Sequence, residues 1–147
     1  KLLRLAAERG IDAAVAVKGE EGSSHYALRV AKPTTAARKA VNFAQGFRLV
    51  RKQRVKFAMD IDPKTYGFDY QTNPRPTVVT AEAFAQAGVA ALSGQKGQIY
   101  DRLILNTAVT DYLLGSHSDP YHAIEQTRVV VDNGQALAHL NRYLEKQ

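Results

Sequence analysis

The 147-residue sequence contains no cysteine. This absence excludes a disulfide framework, a thiolate nucleophile and any zinc or iron–sulfur site held by cysteine. Long apolar runs are also missing: none approaches the roughly 20 residues that span a bilayer, and no segment resembles a signal peptide. We therefore expect a soluble protein of a reducing compartment, the cytoplasm, with no membrane partner.

Acidic residues are absent from a continuous stretch, residues 22–59. The rest of the chain holds all 14 acidic residues against 11 of the 20 basic ones, so the net charge of +6 has a local origin. The densest part, residues 48–56, has five cations in nine positions. The basic residues of the whole stretch are Arg29, Lys32, Arg38, Lys39, Arg48, Arg51, Lys52, Arg54 and Lys56.

Cations packed this closely repel one another, because salt screens only charges that lie farther apart than about 8–10 Å. An acidic polymer would relieve the repulsion and release its own counterions, which is the physical basis of nucleic-acid binding. Phe43, Phe47 and Phe57 are interleaved and offer faces for base stacking. The pattern predicts a DNA, RNA or other polyanion site at Arg38, Lys39, Arg48, Arg51, Lys52, Arg54 and Lys56. The alternative is a solvated loop whose cations face acidic residues elsewhere in a larger protein.

The chain begins within a helical pattern. Residues 1–9 are helix formers that close on Gly10, with no N-cap and no initiator methionine. We therefore expect a fragment of a longer protein. A mostly apolar run, residues 11–17, then predicts a buried parallel strand. The polar loop that follows lies where open α/β sheets place their ligand crevice. It comprises Lys18, Gly19, Glu20, Glu21, Gly22, Ser23, Ser24 and His25.

The remaining pattern predicts an α/β protein with a partial parallel or mixed sheet, flanking helices and a helical C-terminal half. Further strands are expected at residues 25–30 and 54–61, with a short helix at 33–44 between them. Proline-rich turns are expected at residues 62–64 and 73–76. Four more helices are indicated by periodicity and capping residues, at 80–92, 99–114, 119–133 and 135–145.

Residues 97–108 (GQIYDRLILNTA), 112–115 (YLLG) and 123–137 together resemble the C-terminal end of anthranilate phosphoribosyltransferases. Residues 62–68 resemble that family's acidic-Pro to Phe-Gly turn, and residues 17–22 its glycine-bounded loop. The resemblance implies the phosphoribosyltransferase class of glycosyltransferase family 3, active in tryptophan biosynthesis, with a nucleoside phosphorylase-like α/β domain. It also implies that residues 1–147 are a single C-terminal segment of that domain. The helical domain, which makes the homodimer contact, and the glycine-rich diphosphate loop would lie upstream, so the segment alone would be inactive.

The sequence departs from this family in the loop at residues 18–25. There the family has an adjacent Asp-Glu pair that holds the magnesium of phosphoribosyl diphosphate, and Ser24 and His25 stand at those positions. A hydroxyl and an imidazole do not replace two carboxylates as ligands of this hard cation. We expect no cofactor and no catalytic residue in this segment, and magnesium only if the family activity is retained. A glycine-bounded turn without chemical function is the alternative for the loop, and His117, His122 and His139 are spaced wrongly for a metal site.

Two functions follow from the resemblance. A divergent branch of the family lacks the carboxylate pair and binds nucleic acid through basic surface, and Ser24, His25 and the basic stretch resemble that branch. The alternative is a genuine phosphoribosyltransferase that uses anthranilate and phosphoribosyl diphosphate. A third hypothesis, a structural subunit with a protein partner, has no positive sign in the sequence.

Overall fold

The computed structural model describes residues 1–19, 25–28, 42–71 and 79–146. Within these ranges, the first half contains one α-helix, three strands and one 3₁₀ helix, and the second half contains four α-helices. The elements are α1 (Leu2–Glu8), β1 (Ala14–Lys18), β2 (Phe43–Val50), β3 (Gln53–Asp60), a 3₁₀ helix (Pro63–Tyr66), α2 (Ala81–Leu92), α3 (Gln98–Leu114), α4 (Pro120–Asp132) and α5 (Gln135–Leu144). The chain is therefore α/β overall, with a helical C-terminal half as predicted.

The helix boundaries follow the capping chemistry of the sequence. The Thr80 side chain accepts a hydrogen bond from the Ala83 amide at 3.1 Å, and α2 begins there. Asp119 caps α4 in the same way, directly before a proline at the first helical position. Gly115 ends α3 in the left-handed conformation, which glycine adopts without a steric penalty. The predicted helices of the C-terminal half are confirmed to within one or two residues.

The three strands form one sheet in the order β1-β2-β3, and both strand pairs are antiparallel. This corrects the predicted parallel or mixed sheet for the described part of the chain. The connection between β2 and β3 explains the direction of that pair: Val50 pairs with Gln53, so only two residues join the strands. A two-residue link joins antiparallel neighbours, whereas parallel strands need a crossover of a dozen residues or more.

Two further predictions of secondary structure need correction. The short helix predicted at residues 33–44 overlaps β2 at Phe43 and Ala44, and residues 33–41 lie outside the described ranges. The strand predicted at residues 25–30 is not formed at residues 25–28, and residues 29–30 are not described. The strand predicted at 54–61 is confirmed as β3, one residue earlier. The turn at residues 73–76 falls in the undescribed segment.

The hydrophobic core lies between one face of the sheet and α3. Val15, Phe57 and Met59 pack from the sheet against buried residues of that helix, including Ile104 and Leu105. Because α2 and α4 pack on its other sides, α3 has the broad apolar face that its sequence predicts. None of the helices among the described residues combines the length and the apolarity needed to cross a membrane.

Candidate functional site

The predicted ligand loop follows β1, and the structure describes only its two ends. Lys18 is exposed at the end of β1, Gly19 is buried, and His25 is half-buried where the described chain resumes. The other predicted loop residues, Glu20, Glu21, Gly22, Ser23 and Ser24, lie outside the described ranges. The described residues therefore show how the two ends of the loop are held.

The chain that leaves the loop is held by the side chain of a buried asparagine. The Asn42 side-chain oxygen accepts a hydrogen bond from the Ala27 amide at 2.8 Å. The Asn42 nitrogen donates to the Ala27 carbonyl at 2.8 Å and to the Ile61 carbonyl at 3.1 Å. Asn42 is 1% exposed, so these partners are shielded from water. One side-chain amide thus satisfies both polar groups of Ala27, as a neighbouring strand would.

A second asparagine, on α3, holds the adjacent residue in the same way. The Asn106 side-chain oxygen accepts from the Tyr26 amide at 2.6 Å, and its nitrogen donates to the Tyr26 carbonyl at 2.9 Å. The same nitrogen donates to the Arg102 carbonyl at 2.8 Å. Together, Asn42 and Asn106 explain why residues 25–28 do not form the predicted strand: their backbone groups are paired with side chains.

His25 lies near the guanidinium of Arg102. Partial burial lowers its pKa, and the charge of Arg102 lowers it further, so the imidazole is neutral at pH 7. Magnesium prefers hard oxygen ligands, and an imidazole offers none. His25 therefore does not supply a carboxylate ligand for a magnesium ion.

Tyr26 is buried directly beside this position, and burial raises its pKa to about 12. The nearby Thr110 side chain opposes that rise, and the phenol of Tyr66 adds to it. Within the described ranges the Tyr26 hydroxyl has no hydrogen bond of good geometry. The phenol is therefore neutral at physiological pH and belongs to the core.

Two exposed cations of the basic stretch form the turn of the β2–β3 hairpin. Arg51 has φ of 48° and Lys52 has φ of 66°, so both central residues are in the left-handed region. Two-residue hairpin turns with two positive φ angles favour Asn-Gly. Residues with long side chains are strained there, typically by about 1 kcal/mol or more each. The turn therefore combines a strained backbone with two exposed positive charges, a combination typical of functional sites.

The hairpin cations do not share one face. Arg48 points to the core side, where its guanidinium donates to the Tyr112 carbonyl at 2.7 Å and lies 5.4 Å from the Tyr112 ring. Arg54 and Lys56 point to the opposite face, because side chains alternate along a strand. Arg48 is therefore a structural residue. Arg38 and Lys39, with Arg29 and Lys32, lie outside the described ranges.

Phe47, the central one of the interleaved phenylalanines, is not a stacking platform. Phe47 is 3% exposed, and the Arg54 guanidinium lies over its ring at 5.0 Å. Phe57 is half-buried against the core, and Phe43 is half-buried at the start of β2. The prediction that these rings stack on bases is wrong for Phe47.

The loop and the hairpin turn are at opposite ends of the sheet. Lys18, at the loop end of β1, pairs with Phe43 at the start of β2. The turn follows Val50 at the end of β2, seven residues away, which is about 23 Å along a strand. Among the described residues, the end of β1 that carries Lys18 and the turn of the hairpin are therefore well separated.

A polar cluster joins α3 to α4 in the C-terminal half. The Lys96 ammonium lies 2.6 Å from both oxygens of Asp132, and the Tyr100 hydroxyl donates to the same carboxylate at 2.8 Å. Hydrogen bonds from Lys96 and Tyr100 lower the pKa of Asp132. In the described residues no three His, Asp or Glu side chains converge as metal ligands. This cluster is a structural link between helix ends.

Sequence reasoning missed Asn42 and Asn106, although their side chains hold the backbone directly after the loop. Asn106 could have been noticed in the sequence, because it is a polar residue within the apolar pattern of α3, close to Leu105 and Ala108. Asn42 had no such signal, since its partners Ala27 and Ile61 are distant in sequence.

Comparison with known proteins gives one informative similarity. No family model matches the chain. Over 83 residues the chain is 30% identical to an anthranilate phosphoribosyltransferase of Bacillus cereus (strain G9842). The match covers 56% of this chain and 24% of that protein, so it spans about a quarter of the relative's length. This similarity indicates a distant relationship to the anthranilate phosphoribosyltransferases.

Proposed function

We propose that this chain is part of a divergent relative of the anthranilate phosphoribosyltransferases that binds nucleic acid or a similar polyanion through the β2–β3 hairpin. The observation that supports it is the strained, exposed turn at Arg51 and Lys52. Arg54 and Lys56 add two exposed cations on the adjoining strand.

The charges of these four residues are uncompensated in the described part of the chain, where none of them pairs with a carboxylate. The residues opposite them are apolar: Arg54 pairs with Leu49 across the strands, and Lys56 pairs with Phe47. Repulsion among the cations therefore persists in the folded protein. A row of phosphates removes it and gains free energy from counterion release.

Strain supports the same function. At a turn chosen for stability alone, Asn-Gly is the favoured pair, because both residues tolerate positive φ. Arg51 and Lys52 give up that stability and place two charges at the outermost point of the hairpin. Strained backbone of this kind is concentrated at binding and catalytic sites.

Replacing Arg51 with Asn and Lys52 with Gly removes both charges and keeps the hairpin turn. We expect affinity for a 20-base-pair DNA duplex to fall about 10-fold at moderate salt, and the slope of log affinity against log salt to flatten by about 2, roughly 0.9 per lost phosphate contact. The free energy of unfolding should rise by about 1–2 kcal/mol as the strain is relieved. Fluorescence anisotropy across a salt series and urea unfolding of the intact protein measure the two effects.

The matched control removes two cations from a different surface, with Arg142→Gln and Lys146→Gln at the end of α5. It lowers the net charge equally, so its affinity should change less than 2-fold if the hairpin is the contact surface. Unchanged affinity and slope in the hairpin variant would contradict the proposal.

The second candidate function is phosphoribosyl transfer, supported by the similarity to the Bacillus cereus enzyme. The chemistry of His25 weighs against it, because an imidazole whose pKa is lowered by burial stands where the family resemblance implies a metal-binding carboxylate. We expect titration calorimetry of the intact protein with phosphoribosyl diphosphate to give the same weak heats with and without Mg²⁺. Micromolar binding that requires Mg²⁺ would favour the transferase instead.

A further inference from the structure

The hairpin projects beyond the rest of the sheet. β1 pairs with β2 only from Phe43 to Phe47, so the remainder of β2 and β3 continues as a two-stranded ribbon. Its cross-strand pairs are Arg48 with Val55, Leu49 with Arg54 and Val50 with Gln53, followed by the turn. We infer that this ribbon inserts into the major groove of duplex DNA, an inference that rests on the proposed polyanion function.

The dimensions of the ribbon agree with that groove. Arg48 is held against Tyr112, so the part of the ribbon that is free to enter the groove is the two strand pairs beyond it and the turn. These extend about 7 Å, against a B-DNA major groove about 8.5 Å deep. The groove is about 12 Å wide and admits a two-stranded ribbon, whose strands lie about 4.8 Å apart. The major groove of an RNA duplex is deep and too narrow for side chains to read. The ribbon therefore discriminates between the two duplexes by shape.

The chemistry of the ribbon favours a duplex over a single strand. Proteins that bind single strands present aromatic faces to the bases, but Phe47 is 3% exposed and covered by Arg54. The ribbon instead exposes aliphatic side chains, with Leu49 42% and Val55 45% exposed. These two side chains lie on opposite faces of the ribbon, so whichever face meets the bases presents one aliphatic group to thymine methyl groups, while the cations reach the phosphates.

The test compares three probes of one sequence at fixed salt: a 20-base-pair DNA duplex, the RNA duplex and the single DNA strand. We expect the intact protein to bind the DNA duplex at least 10-fold more tightly than either of the others. Replacing Leu49 and Val55 with serine keeps the charge and removes the aliphatic groups from both strands. This variant should lose most of the preference for DNA and keep its salt slope.

A DNA duplex with bulky groups at C5 of its pyrimidines tests the groove directly, because those groups fill the major groove. Binding should fall at least 10-fold. Equal affinity for all three probes, lost in the Asn-Gly turn variant, would overturn the groove inference and leave polyanion binding intact. Absence of binding to every probe would overturn both. Unchanged affinity for the C5-substituted duplex would place the ribbon outside the major groove and overturn the inference.

Discussion

Replacement of Asn42 with alanine is expected to lower the free energy of unfolding by about 3–5 kcal/mol. The change removes three hydrogen bonds, to the Ala27 amide, the Ala27 carbonyl and the Ile61 carbonyl. Each buried group left without a partner costs about 1–3 kcal/mol, and alanine lets no water in to replace the amide. Because folded domains are stable by only about 5–15 kcal/mol, this is a large fraction of the total.

Urea unfolding followed by circular dichroism measures this loss, and Asn141→Ala provides the control. Asn141 is exposed on α5, so its replacement should change stability by less than about 0.5 kcal/mol. A loss below about 1 kcal/mol for Asn42→Ala would show that the Ala27 backbone finds other partners.

Replacement of Gly46 with alanine should destabilise the protein by about 3 kcal/mol. Gly46 lies in the central strand opposite Val15 and Phe57. An added Cβ would collide with the Ala14 carbonyl oxygen, lie 3.0 Å from the Val15 Cα and lie 2.7 Å from the tip of the Phe57 ring. Two of these contacts are backbone atoms of the neighbouring strand, so β1 would have to shift. Overpacking of this kind costs about 1–3 kcal/mol and occasionally more.

The matched change is Gly88→Ala on α2. A Cβ at Gly88 has nothing within 4 Å, and the residue is in the interior of a helix. Alanine should therefore increase the free energy of unfolding by about 0.5–1 kcal/mol. Opposite signs for the two substitutions, measured by thermal or urea unfolding, would confirm that close strand approach requires glycine at position 46. A neutral Gly46→Ala would show that the strand spacing adapts.

The parts of the fold that depend on local chemistry could be predicted from the sequence. Thr80 and Asp119 cap helices through bonds to residues three positions away, so the signal and the structure are both local. The direction of β1 could not be predicted, because its partner β2 begins 25 residues later and an apolar run reads alike in either direction. The strand expected at residue 25 failed for a similar reason, since Asn106 lies 80 residues from Tyr26.

The candidate site was predictable in charge but not in geometry. The density of cations identified the hairpin tip, but two adjacent basic residues gave no sign that they form a turn. Favoured turn residues such as Asn-Gly would have marked it. The alternation of a strand separates Arg48 from Arg54, and this could be assigned only once the register was known.

The residues behind the family resemblance have structural tasks in this chain. Asn106 holds the Tyr26 backbone, and Asp101 accepts a hydrogen bond from the Gln71 side chain at 2.8 Å. Asp132 joins Lys96 to Tyr100. These contacts are needed whatever the protein binds. The motif residues therefore have packing functions that do not depend on the activity.

The two asparagine amides have an evolutionary consequence. Lys18 is fixed by its strand pairing, and the backbone of Tyr26 and Ala27 is fixed by Asn106 and Asn42, so both borders of the loop are anchored by residues outside it. Substitutions between those borders leave these anchors in place. Evolution can therefore change what the loop binds at little cost to folding.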